Sequence, residues 1–204
     1  MTSPVTAQDL EDAFHAGATE QAREWLVSAR VSVSRYQGEL EMLFPAVARG
    51  CGRAVLPSGW RTDDAVRVLM LVPAASADRV IGLYQHGDAD ERRAVLLALD
   101  YIDLDDSVLI LVEDALRSND TRLITAALGR YAAQHLSDSA FRHAVLKCVF
   151  CGIPLSAVAG LSERADAELA RMLDDFAQER VVAGRTVPDD VWPVLARFPI
   201  SRSR

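Results

Sequence analysis

The sequence predicts an all-α protein, and three observations predict it. Apolar residues recur at i, i+3, i+4 and i+7, strand-type alternation is missing, and Ser, Thr, Asp and Asn stand ahead of apolar runs where helix N-caps belong. The expected arrangement is an array of stacked antiparallel helices, HEAT-like or an irregular helical bundle. A chain of 204 residues suits one domain and buries about 70% of its unfolded surface, enough for a core without metal or disulfide staples. One helical domain is therefore expected over residues 1–200, with 201–204 as a disordered tail.

From Thr19 a long helix carries Ala22, Trp25, Leu26, Ala29 and Val33 on one stripe. Tyr36 to Gly50 is a second helical segment, and Pro45 inside it should kink or restart the helix because it lacks a backbone donor. Cys51 to Arg61 reads as a loop. Thr62 can N-cap the next helix, with Asp63 and Asp64 in a first turn whose dipole favours negative charge. Ser76 opens a helix to about His86, closed by Gly87, and Asp88 begins another through Leu99. Asp105 or Asp106 caps the helix carrying Val108, Leu111 and Val112. Asn119 or Asp120 caps one carrying Ile124, Ala127, Leu128 and Tyr131, and Ser137 or Asp138 caps one carrying Phe141, Val145 and Cys148. Pro154 falls at the first position of a short helix. Ala165 to Val182 forms a long amphipathic helix with Leu169, Met172, Leu173 and Phe176 inward, and a last short helix holds Val191, Trp192 and Leu195. From Thr62 to Ser137 the starts fall roughly fifteen residues apart, as in stacked helix pairs, although no residue motif recurs at that period.

Composition narrows the function classes. Hydrophobic residues make up 50% and charged residues 25%, a globular balance. The net charge of −7 argues against a nucleic-acid partner, which requires a basic face. Cys51, Cys148 and Cys151 are too few for a secreted disulfide framework. The opening residues lack a basic and then apolar leader, and the longest apolar stretch, Ala144 to Leu161, is broken by Lys147, Gly152 and Pro154. No signal peptide and no membrane insertion are expected, and the expected location is the cytoplasm.

The sharpest chemical feature is the helix from Ala140 to Cys151. His143, Lys147 and Cys151 stand at i, i+4 and i+8 and share one stripe of a helix that is apolar nearly all round, the pattern of a central buried helix. Lys147 is the only lysine among 22 basic residues. Buried, it needs an acidic partner, a ligand or a route to solvent, since an unpaired ammonium would lose its proton instead. A pocket lined by Lys147 and His143 is one reading, and a lysine that snorkels or pairs with a neighbouring carboxylate is the plainer one.

Cys148 and Cys151 match CxxC, but at a helix C-terminus the dipole opposes a thiolate, so buried structural cysteines are expected. His135 lies on an apolar seam with Tyr131 one turn earlier, a local companion for its ring. Tyr131, His135, Asn119 and Arg164 complete the candidate ligand-binding set beside Lys147 and His143. On the long C-terminal helix, Arg164 to Glu168 and Arg171 to Asp175 have the spacing of surface ion pairs. No metal site and no cofactor are expected, and no phosphate loop, dinucleotide fingerprint, nucleophile elbow or zinc-protease motif is present.

The strings NDTRLITAALGRYAAQHL, FRHAVLKCVFCGIPLSAVAGL and ERADAELARMLDDFAQERVVAGRTVPDDVW, with LFPAVARGCGRAVLPSGWRTDDAVRVLML earlier, resemble the EboA-domain family over most of the chain. The resemblance implies company with a membrane prenyltransferase, a TatD-type hydrolase and a dehydroquinate-synthase-like enzyme, in clusters that make or export a small specialised metabolite. It implies no reaction. The function expected is a non-catalytic accessory or binding protein whose partner is a small molecule or a pathway enzyme. The alternative is an enzyme of the same pathway with a pocket around Lys147 and His143.

Overall fold

A computed structural model describes residues 6–36 and 38–198. The expected tail at 201–204 lies outside the described residues. The fold is all-α, and among the described residues the only β pairing is one isolated antiparallel bridge between Val55 and Arg61. The helices are α1 (Ala7–Gly17), α2 (Glu20–Arg35), α3 (Glu39–Leu43), α4 (Val47–Cys51), α5 (Thr62–Leu71), α6 (Ala77–His86), α7 (Ala89–Ala98), α8 (Leu109–Arg117), α9 (Thr121–Ala127), α10 (Arg130–His135), α11 (Asp138–Cys151), α12 (Leu161–Arg164), α13 (Ala167–Val182) and α14 (Val191–Arg197). Among the described residues no helix is long and apolar enough to cross a membrane.

Local capping chemistry sets most boundaries. Thr19, Ser76, Asp88, Asp120, Ser137 and Asp166 each accept a hydrogen bond from a backbone N–H in the first turn that follows. Asp105 does the same for a short 3-10 turn, Asp106–Val108, that leads into α8. Pro45 has the expected effect, because a 3-10 turn (Phe44–Ala46) separates α3 from α4.

Several expectations need correction. The first helix starts before Thr19: Thr6 and Asp9 form a capping box, and Leu10 and Phe14 of α1 are fully buried. The N-cap of α5 is Arg61, not Thr62, whose hydroxyl instead donates to the Ala54 carbonyl at 3.0 Å. The segment from Asp120 to His135 is two helices. The Leu128 carbonyl is taken by the Ala159 N–H at 2.9 Å, and Gly129 starts α10. Pro154 precedes a 3-10 turn (Leu155–Ala157) instead of entering a helix. The long C-terminal helix starts at Ala167, and Met172 is only half-buried on it.

The chain divides into two compact units, Met1–Leu111 and Val112–Arg204. In the first, α5 is the central helix. All ten of its residues are buried, and it packs on α1, α2, α4 and α7. Burying a Leu, Val or Met side chain is worth about 1.5–3 kcal/mol, so Val66, Val68, Leu69, Met70 and Leu71 anchor this unit. In the second unit, α13 turns Leu169, Ala170, Leu173, Phe176 and Ala177 inward and packs on α11 and α14. The apolar composition of α11 does not make it a fully enclosed helix. Phe150 is 61% exposed, and His143 and Cys151 are also exposed. Enclosure on every side belongs to α5.

Candidate functional site

The first unit contains a cavity of about 450 Å³, within the size range of small-molecule sites. Helical spacing builds its walls. Ala7 and Glu11 stand one turn apart on α1, and Arg30, Val33 and Ser34 face them from α2. Leu69 and Met70 come from the last turn of α5, and Val72, Pro73 and Ala74 from the 3-10 turn that ends it. The lining is mostly aliphatic, with one charged pair.

That pair is Arg30 and Glu11. The two terminal nitrogens of the guanidinium donate to the two carboxylate oxygens, Nη2 to Oε2 at 3.2 Å and Nη1 to Oε1. Nη2 also donates to the Leu69 carbonyl at 3.3 Å. Leu69 lies in the last turn of α5, where helix carbonyls lack intrahelical donors and a cation is favoured. The Arg30 guanidinium holds the Glu11 carboxyl below its ordinary value against the opposing effect of burial, and His15, with Nε2 3.7 Å from Oε1, adds to the lowering. Arg30 Nε is buried without a hydrogen-bond partner. A buried donor left so costs about 1–3 kcal/mol.

At the other end of α5 lies a buried ion network. Arg61 Nε and Nη2 donate to Asp63 at 3.0 and 2.8 Å, and Arg67, only 1% exposed, donates from Nη1 to the same carboxylate at 3.2 Å. Arg67 Nε donates to the Phe44 carbonyl at 3.1 Å. Arg93 pairs with the buried Asp64, and Asp90 receives Arg53 at 3.2 Å and Arg61 at 3.5 Å. Each of these charges has an opposite within the network. The cluster therefore ties α5, α7 and the loop after α4 together, and its chemistry is structural cohesion. Its sequence signal was the four-residue spacing from Asp63 to Arg67, with Asp64 between them, at the head of an apolar run.

The six residues singled out from sequence all lie in the second unit. Lys147 Nζ donates to the carbonyls of Leu116 and Ser118, the latter at 2.7 Å, and so closes the C-terminus of α8. His143 is exposed, with Nδ1 2.7 Å from the Ser139 carbonyl oxygen. Tyr131 and His135 stack with ring centroids 4.2 Å apart, the companionship expected of them. Arg164 donates to the Ala133 and Leu136 carbonyls at 2.9 and 2.8 Å and to Asp138 at 2.8 Å, and lies 4.3 Å over the Phe141 ring. It closes the end of α10 instead of pairing with Glu168, which Arg171 takes. Asn119 is exposed in the turn before α9.

Lys147 and Asn119 thus meet at the α8–α9 turn, while Arg164, Tyr131 and His135 gather around α10. A shallower cavity of about 380 Å³ in this unit, beside the 3-10 turn, α12 and α14, is lined by none of the six. The cysteines separate as well. Cys148 is buried, with burial pushing its thiol up to about 12, whereas Cys151 is exposed, which corrects the expectation of two buried cysteines.

Sequence reasoning missed the cavity beside Arg30 and Glu11 entirely. Its parts come from residues 19 and 39 positions apart, and each reads locally as an ordinary helix surface.

Compared with known proteins, residues 7–196 match the family described as metabolite traffic protein EboA. No curated protein and no solved structure matches the chain.

Proposed function

The chain belongs to the EboA family, and on that premise we propose that it is a non-catalytic accessory protein that holds a small metabolite in the cavity between α1, α2 and the end of α5. It does so in the cytoplasm, on behalf of enzymes that make or export that metabolite. The observation that carries this reading is the cavity itself, about 450 Å³ of mostly aliphatic wall with one polar pair. An aliphatic lining with few, fixed polar groups binds and orients a small molecule. The polar groups that line it are an ion pair and a serine, with no arrangement of nucleophile, base and oxyanion donors. The enzyme reading around Lys147 and His143 draws less support, because the ammonium already serves two carbonyls and the imidazole faces solvent.

The test is binding of the neutral apolar fluorophore N-phenyl-1-naphthylamine. Saturable fluorescence enhancement is expected with the native chain, and at least about tenfold weaker binding in Ala74→Trp, whose indole fills the cavity mouth. Equal binding by both proteins would overturn the proposal.

A further inference from the structure

From the divide at Pro73 and Ala74 we infer the class of ligand: an amphiphile, with an apolar body joined to a hydroxyl-bearing head. The inference rests on the proposed cavity reading and adds where the other end of the ligand sits. A second cavity, of about 500 Å³, adjoins the first. Ala75, Ser76, Asp78 and Arg79 line it around the start of α6, and Glu41 lines it from α3. It shares Pro73 and Ala74 with the first cavity, and both open to solvent. Pro73 on the divide is itself exposed, so a molecule can lie across from one to the other with no helix having to part.

Polarity changes at that divide. On one side Val33 and Val72 offer aliphatic surface, and an apolar body laid against it leaves water. On the other side the lining is mainly polar. Arg79 donates from Nε to Glu41 Oε1 at 2.8 Å and from Nη1 to the Ala74 carbonyl at 2.8 Å. These two bonds join α6 and α3 to the turn and stand the guanidinium beside the divide. The Glu41 and Asp78 carboxylates and the Ser76 hydroxyl share this wall at exposed positions. A hydroxyl both donates and accepts, so it suits a wall where donors and acceptors stand side by side. An ammonium there would meet Arg79, and a carboxylate would meet Glu41 and Asp78. Because these groups are hydrated in the free protein, the head gains little affinity by exchanging water for them. Affinity comes from the apolar body, and the second cavity gives a bulky polar head its place.

The experiment titrates the full chain with 1-octanol and with octyl glucoside below its micelle threshold, following the methyl resonances of Val33, Val72 and Ala75. The probes share one alkyl body and differ in the head. Val33 and Val72 line the first cavity and Ala75 the second. 1-Octanol is expected to move the two valines, and octyl glucoside to move all three residues. In Ala75→Trp, whose indole fills the second cavity, octyl glucoside is expected to bind about tenfold more weakly while 1-octanol binds as before. Octyl glucoside that moves the valines without Ala75, or binds both proteins equally, would overturn the ligand class and leave the cavity reading standing. An equal shift of Ala75 by both probes would do the same. If Ala75→Trp weakens both probes alike, or does not fold as judged by circular dichroism, the resonances of the native chain decide alone. If neither probe moves the valines, the cavity reading falls and the ligand class with it.

Discussion

Lys147 donates from Nζ to the carbonyl of Ser118 at 2.7 Å, and with the Leu116 carbonyl this makes the single lysine of the chain a C-terminal clasp for α8. Replacing it with methionine keeps the stem and removes the donors. Lys147→Met is expected to cost about 1–2 kcal/mol of stability, the effect of carbonyls left without partners at a helix end. Binding of N-phenyl-1-naphthylamine should not change. Urea unfolding and a probe titration on the same sample check both halves.

Asp63 is fully buried and receives Arg61 and Arg67. Asp63→Ala leaves the guanidinium of Arg67 in the core without the carboxylate it donates to, and the expected loss is about 3–5 kcal/mol. Removing both charges is gentler than removing one. The pair Asp63→Leu with Arg67→Met should recover at least about 1 kcal/mol of that loss. A double-mutant cycle by denaturant unfolding measures the recovery.

Burial, and next the neighbouring Asp88 charge, raise the Glu91 carboxyl above its ordinary 4.5. The folded chain then holds this proton more tightly than the unfolded chain. The group's contribution is fully present below pH 4.5 and is lost as pH rises through the raised folded value. Glu91→Gln, which cannot ionise, is therefore expected to gain stability relative to the native chain between pH 4.5 and 7, and to show no gain below that window. Thermal melts across the range give the slope, and the opposite slope would show that the carboxylate is the form the fold prefers.

Thiol chemistry should separate the three cysteines. Burial pushes Cys51 and Cys148 up to about 12, while Cys151 at the end of α11 is exposed. Brief treatment of the folded protein with iodoacetamide at neutral pH is expected to add one label, at Cys151, because the thiolate is the nucleophile. Peptide mapping locates it. A label on Cys148 would mean that α11 opens from its unit.

Legibility in the sequence followed the range of the interactions. Ser76, Asp88, Asp120 and Ser137 were readable as helix starts because a cap bonds a backbone group two or three residues away. The split at Gly129 was not readable, since the Leu128 carbonyl is claimed by Ala159, far along the chain. The family also showed in the wording of the sequence, which the match over residues 7–196 supports. The polar stripe of His143, Lys147 and Cys151 is real as a spacing, but it runs along an edge of α11 and Lys147 spends its donors on a helix end. The spacing says which residues share a face and not what that face meets. The reverse holds for Arg30. Its place on α2 looks like a solvated charge, and only the packing of α1 and α5 turns it into the polar wall of a cavity.

The most direct measurement is native mass spectrometry of the protein purified from its own host, beside Ala74→Trp purified the same way. The account predicts a small molecule retained by the native chain and absent from the filled variant. The same molecule carried equally by both proteins would contradict it.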